Sequence, residues 1–295
     1  MQLKSLHVFL KNGLIGYYSK DEIDAFFYRL CDAHLKLKRI DVSLKSDTVV
    51  SPQTFEYFEE SLQRLLKYEP IQYIIGSTSF CGLDFIVDEK VLIPRPETEE
   101  LIGWILEQID SSKPIKILDI GTGSGCIAIC LAKKLPNAEV YAMDVSSGAL
   151  SIAKLNAKAN QVEVTFIEAS VLDWKNQDLV VDVIVSNPPY VRESEKEMMS
   201  PNVLDHEPHL ALFVENNNPL LFYKAIIDIC KINLKKDGFI YFEINEYLAE
   251  DTKSLFSLDA FGTVQLKTDI FSKIGFNAHP PPFKANKNIS FIIIK

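Results

Sequence analysis

The sequence predicts an α/β fold, a doubly wound parallel sheet preceded by a small helical bundle, and three observations predict it. Beyond residue 115, short apolar runs of strand type alternate with helical stretches, the pattern of a sheet covered on both faces. The run 116–120 is followed at once by Gly121-Thr122-Gly123-Ser124-Gly125 and then by residues 126–132, apolar nearly all round. Strand, glycine turn and helix is the context in which such a loop carries meaning. The first 65 residues or so instead place their apolar side chains at helical spacing.

Taken in order, Ser19-x-x-Glu22 is a capping box, and Ile23, Phe26, Phe27 and Leu30 follow as one helical stripe. Ser51-Pro52 supplies a cap with proline at the first helical position, ahead of Phe55, Phe58, Leu62, Leu65 and Leu66 on one face. These stripes are read as the core of a bundle rather than as a binding groove. Next, Ile71-Gln72-Tyr73-Ile74-Ile75-Gly76, residues 78–81 and residues 83–87 are β-rich and punctuated by glycine, which predicts strands. Pro94 and Pro96 hold an extended segment, and the acids after Pro96 suit the start of a helix running through Ile102, Trp104 and Ile105.

The second sheet strand, 139–143, ends at Asp144, about 20 residues past the last glycine, where an acid commonly holds ribose hydroxyls. A buried strand at 180–185 runs into Asn187-Pro188-Pro189-Tyr190. Residues 193–218 are polar, interrupted by proline and without periodicity, and loops of that length in compact domains are usually functional or mobile. A helix at 220–234, a strand at 238–244 and closing strands at 263–267 and 289–294 complete the chain.

Composition bounds the rest. The 295 residues, 47% hydrophobic and 24% charged, fit a globular chain of one or two domains. No apolar run approaches a membrane span, and no signal pattern opens the chain. Five cysteines (31, 81, 126, 130 and 230) lack Cys-x-x-Cys spacing, so neither a disulfide framework nor a zinc site is indicated, and a reducing cytoplasm is the expected compartment. The net charge of −9 lies wholly beyond residue 80, since the first 80 residues balance ten basic against ten acidic side chains. No basic stripe is visible, which favours a protein or small-molecule acceptor over nucleic acid.

The Asn187 corner defines the chemistry. Two prolines remove two backbone donors and fix two φ angles as the chain leaves the sheet. The carbonyls there, with the Asn187 amide, are then free to accept hydrogen bonds from a flat group bearing NH2, with the Tyr190 ring available to lie on its face. A rigid turn without chemistry is the plain alternative. Combined with a Gly-x-Gly-x-Gly loop in place of the dinucleotide-type Gly-x-Gly-x-x-Gly, the corner resembles that of S-adenosylmethionine-dependent methyltransferases acting on planar NH2 groups.

A longer pattern narrows this. Glu69-Pro70, Tyr73-Ile74-Ile75-Gly76, Ile93-Pro94-Arg95-Pro96-Glu97-Thr98-Glu99, Asp119-Ile120-Gly121-Thr122-Gly123-Ser124-Gly125, Asn187-Pro188-Pro189-Tyr190 and Glu207-Pro208 stand in the order found in the HemK/PrmC family, the peptide chain release factor glutamine methyltransferases. The resemblance implies a five-helix bundle (1–68) that recognises the release factor, a β-hairpin linker (69–93) and a Rossmann-like, seven-stranded class I methyltransferase domain (94–295). It implies methylation of the side-chain nitrogen of the glutamine in the Gly-Gly-Gln motif of class 1 release factors. By the same resemblance Gly121, Thr122, Gly123, Ser124, Gly125, Asp144, Ser170, Val171 and Asn187 hold S-adenosylmethionine. Asn187, Pro188, Pro189 and Tyr190 hold the glutamine amide, and Arg95, Pro96 and Glu97 lie beside it. A monomer, with no metal, membrane or direct nucleic-acid contact, is expected.

Two departures stand out. Ser170 occupies a position where the family usually has an acid near the adenine. The tail after Phe271, Ser272-Lys273-Ile274-Gly275-Phe276-Asn277-Ala278-His279-Pro280-Pro281-Pro282, lacks the family's glycine and Asp-Arg pair, and reads as a divergent tail or a change of reading frame. Three other activities stay open at this level: a ribosomal protein glutamine methyltransferase, a DNA or RNA base methyltransferase, and an NAD-dependent oxidoreductase using the glycine loop and Asp144.

Overall fold

The computed structural model describes residues 1–256, 264–268 and 288–294. The atypical tail from Ser272 to Pro282 lies outside them. Two compact units are present: Met1–Ser77 with Ser200–His206, and Thr78–Met199 with the described residues from Glu207 onward.

The first unit is a helical bundle. Helices α1 (Leu3–Leu14), α2 (Lys20–Leu30), α3 (Arg39–Leu44), α4 (Pro52–Leu65) and α5 (Ile71–Ile75) follow in order, with α2 running on through a π-helical turn, Cys31–Leu35. Leu3, Leu6, Leu10 and Leu14 bury one face of α1 against Ile23, Phe27 and Leu30 of α2 and Phe58, Leu62 and Leu65 of α4. The Ser19–Glu22 capping box forms as the sequence requires. At α4 the Ser51 hydroxyl accepts from the Thr54 amide at 3.1 Å, with Pro52 at the first position. Ser51→Ala should therefore destabilise the bundle by about 1 kcal/mol, read as a lower urea midpoint with unchanged slope.

One expected strand is a helix. Residues 71–76 carry β-type side chains, yet Ile71–Ile75 form α5, which ends at Gly76 in the left-handed region (φ 79°). Ile71 and Ile74, three apart, both enter the bundle core, and that burial overrides β propensity. The first compact unit accordingly includes α5 and runs to Ser77. Arg64, near the end of α4, secures the turn. Its Nε donates to Glu69 Oε2 at 2.8 Å, its Nη2 donates to Glu69 Oε1, and further bonds reach the Tyr73 and Ile74 carbonyls. The Arg64 guanidinium holds the Glu69 carboxyl below its ordinary pKa.

The second unit opens with the hairpin β1 (Ser77–Phe80) and β2 (Leu83–Ile86), turned through Cys81 and Gly82 at φ 51° and 75°. Two positive φ values in a two-residue loop match the twist of the flanking strands. There follow α6 (Pro96–Gln108), β3 (Ile115–Ile120), α7 (Cys126–Lys134), β4 (Ala138–Asp144), α8 (Ser147–Ala159), β5 (Thr165–Glu168) and β6 (Val181–Ser186). Residues 193–218 are not the structureless loop the sequence implied. With β7 (Val191–Arg192) just before them, they hold a 3₁₀ turn (Glu193–Met198), α9 (Pro201–Leu204), which belongs to the first unit, α10 (His209–Leu212) and β8 (Phe213–Val214), with β7 and β8 paired. Elements of two to six residues are too short to show a period. Then come α11 (Leu221–Asn233), β9 (Leu234–Asn245), α12 (Ala249–Ser254), β10 (Val264–Thr268) and β11 (Asn288–Ile294).

The seven-stranded sheet has the order β10-β11-β9-β6-β3-β4-β5 with every pair parallel. Alternate side chains feed two cores. Ile117, Val183, Val185 and Tyr241 pack with α6 and α7 on one face, while Leu118, Ile184, Ile240 and Phe242 pack with α11 on the other. The chain runs outward from β3 to β4 and β5 on one side, and to β6 and β9 on the other. The β3–β6 crevice is therefore the switch point, where ligands of such sheets sit, outside the carboxyl ends of the strands.

Candidate active site

A cavity in the second unit opens at that switch point, with Gly121, Asp144 and Asn187 at the ends of β3, β4 and β6 all on its wall. The glycine loop owes its shape to backbone geometry. Gly121, Gly123 and Gly125 have φ of 73°, 55° and 81°, and the Gly121 and Thr122 amides donate to the Met143 carbonyl at 2.8 and 3.0 Å. At Gly125 a Cβ would meet Ile129 Cδ1 at 2.9 Å and Ala153 Cβ at 3.1 Å, so glycine lets α7 and α8 close up behind the loop. Asp119, fully buried, accepts from the Thr122 hydroxyl at 2.6 Å and from the Ala128 amide at 3.3 Å, which ties the loop to the first turn of α7. Burial pushes the Asp119 carboxyl up to about 7.

Asp144 closes the other side. Its Oδ2 accepts from the Gly123 amide at 2.8 Å and its Oδ1 from the Ser146 amide at 2.9 Å. Burial raises its pKa. Each carboxylate oxygen has two acceptor sites, so both retain capacity for a diol. Thr122, Ser124, Ser170 and Val171 also line the cavity, and Ser170 Oγ accepts from the Leu172 amide at 3.2 Å. A loop with glycines at positive φ, a carboxylate at the next strand end and largely apolar walls fit an adenosine-type cofactor. Among the described residues, no group of three or more His, Cys, Asp or Glu side chains could hold a metal ion.

The Asn187 corner faces the same cavity through Asn187, Pro188 and Pro189. It is anchored behind. The Ser186 hydroxyl donates to the Ile120 carbonyl at 2.7 Å, and Asn245 Nδ2 donates to the Tyr190 carbonyl at 3.2 Å. The Tyr190 side chain is not on the cavity wall. Its hydroxyl donates to Glu243 Oε1 at 3.0 Å, and burial beside that carboxylate drives the phenol pKa well up. The Tyr190 ring is partly buried against the core that holds Leu118 and Phe242, and the buried acid takes its hydroxyl bond.

Of the three expected linker residues, Arg95 lines the cavity and Pro96 and Glu97 do not. These two begin α6, whose first turn aims Thr98 inward instead. Arg95 Nη2 donates to Glu207 Oε1 at 2.6 Å, and the Ile93 amide donates to Glu207 Oε2 at 3.2 Å. The buried Glu207 thus binds the Pro94–Arg95 strap to Pro208, which also borders the cavity. The sequence reading missed Thr98 and Glu243. For Glu243 a signal existed, a single acid inside the apolar run Phe239-Ile240-Tyr241-Phe242-Glu243-Ile244. Thr98 carries no such mark.

The sheet order, the glycine loop and the acid at the next strand end define a Rossmann-like class I methyltransferase. Family models for the methyltransferase small domain and for the PrmC N-terminal domain match residues 103–209 and 17–76. The chain is 48% identical to the release factor glutamine methyltransferase of Flavobacterium psychrophilum, over 92% of this chain and 96% of that protein. It is 40% identical to that of Bacteroides thetaiotaomicron, over 92% and 97%. To that of Lactococcus lactis it is 42% identical, over 76% and 82%. This chain belongs to the release factor glutamine methyltransferase family.

Proposed function

We propose that this chain transfers a methyl group from S-adenosylmethionine to the side-chain amide nitrogen of the glutamine in the Gly-Gly-Gln motif of class 1 release factors, in the cytoplasm. One observation carries the reading: the glycine loop, Asp144 and the Asn187-Pro188-Pro189 corner border a single cavity. In this reading Gly121, Gly123 and Asp144 hold the cofactor, and Asn187 and the Pro188 carbonyl hold the glutamine NH2. The helical bundle supplies recognition of the release factor.

S-adenosylmethionine, when bound, would supply an activated methyl group and leave as S-adenosylhomocysteine, while the amide nitrogen gives up one proton to solvent. The task left to the protein is orientation. A carboxamide nitrogen is a poor nucleophile because its lone pair is delocalised into the carbonyl. If Asn187 Oδ1 and the Pro188 carbonyl accept its two N–H groups, the nitrogen is held in one attitude. Positioning of this kind contributes up to roughly 7–11 kcal/mol. The same oxygens face the positive charge that develops on nitrogen, and as fixed dipoles they need no reorganisation to stabilise it. The Arg95–Glu207 pair keeps the strap beside this corner in place.

The test is mass spectrometry of a release factor after incubation with the protein and cofactor. A gain of one methyl group on the Gly-Gly-Gln peptide is expected. An unmodified peptide, with methyl transfer instead to a ribosomal protein or to RNA, would overturn the assignment.

A further inference from the structure

Glu243 is 1% exposed and lies on the α6-facing side of β9, next to the buried Tyr241 of the same face. A carboxylate is a costly occupant of such a place unless its partners need it. Its partners are all donors. The Thr98 hydroxyl donates to Oε2 at 2.6 Å and the Tyr190 hydroxyl to Oε1 at 3.0 Å. Asn187 Nδ2 in turn donates to Thr98 Oγ1, long at 3.5 Å, with the Glu243 carboxylate also within its reach.

The direction of this chain is fixed at its buried end. An ionised carboxylate only accepts, so the Thr98 proton points at Glu243, and Thr98 offers a lone pair towards Asn187. Asn187 must then turn its NH2 end to Thr98, and its Oδ1 is the end left for the cavity. A carboxylate behind the NH2 end also polarises the amide and makes Oδ1 a stronger acceptor. A neutral amide at position 243 removes the constraint. The Thr98 hydroxyl could then accept from residue 243 and donate to Asn187 Oδ1, which presents an NH2 to an incoming NH2.

We propose that Glu243 is a positioning residue for methyl transfer, fixing through Thr98 which end of the Asn187 amide meets the substrate nitrogen. The inference rests on the role given to Asn187 above. Glu243 does not touch the substrate, and its effect falls on turnover rather than on binding.

Glu243→Gln should lower kcat at least tenfold while KM for release factor and the affinity for S-adenosylhomocysteine stay within about threefold. Thr98→Val, which breaks the relay without touching the acid, should lower kcat in the same way. Thr98→Ser, which keeps the hydroxyl, should recover most of that loss. A pH profile adds a readout that packing alone would not move. Burial pushes the Glu243 carboxyl up to about 7. The groups facing it are Glu97 and Thr98 from α6, Cys126 from α7, Asn187 and Tyr190 from the corner, and Tyr223 from α11, whose hydroxyl donates to the Glu243 backbone carbonyl. At saturating cofactor, wild-type kcat should fall as pH drops through 7, and the Gln variant should lack that limb.

A wild-type protein that leaves the release factor unmethylated overturns the proposed function. A wild-type protein that methylates it, beside a folded Glu243→Gln of equal kcat, overturns this inference alone. If Glu243→Gln does not fold, an unchanged kcat in Thr98→Val overturns it instead.

Discussion

Asn187→Ala is expected to reduce methyl transfer by about 10²–10³-fold or more, the loss seen when one preorganised hydrogen-bonding group is removed from a reacting centre. The substitution deletes the acceptor oxygen at the corner and leaves Pro188, Pro189 and the anchoring bonds from Ser186 and Asn245 in place. Cofactor affinity should change little, because the bonds that shape the glycine loop and Asp144 run to Met143, Asp119 and Ser146 rather than to the Asn187 side chain. Single-turnover kinetics with labelled cofactor, beside calorimetry with adenosylhomocysteine, separate the two effects. Near-normal turnover in this variant would contradict the assignment of the corner as the acceptor site.

Asp144→Ala should do the reverse. Asp144 both shapes the loop, through the Gly123 amide, and presents a carboxylate to the cavity. Hydrogen bonds to a charged group are worth about 1.5–3 kcal/mol, which is about ten- to a hundredfold in affinity. The dissociation constant for adenosylhomocysteine should rise by that factor, while kcat at saturating cofactor is less affected. A variant that binds as tightly as the wild type would remove Asp144 from the cofactor site.

The parts of the site legible in the sequence are those where backbone geometry dictates residue type. Positive φ demands glycine at 121, 123 and 125, and a rigid exit from β6 demands Pro188 and Pro189, so these leave a local signature. Strand ends at Ile120, Asp144 and Ser186 then bring them together without any knowledge of the sheet order. What stayed hidden depends on contacts between distant positions. Thr98 and Glu243 are 145 residues apart and meet because β9 lies beside β6 with Ser186 opposite Phe242. Glu207 reaches back 112 residues to Arg95. The hydroxyl bond of Tyr190 depends on the same distant acid. Residues 71–76 show the opposite case, in which two isoleucines at helical spacing outweigh intrinsic β preference.

The parallel sheet also sets an order of assembly. Each neighbouring pair of strands is separated by a crossover, and the central pair β3 and β6 joins residues 66 positions apart. Such pairings pay chain-closure entropy before any contact rewards it, so they form slowly. The helices of residues 1–77 meet over short separations and emerge first during synthesis. A nascent chain of this protein would thus carry packed N-terminal helices while its sheet still awaits β9, the strand that brings Glu243 to the corner.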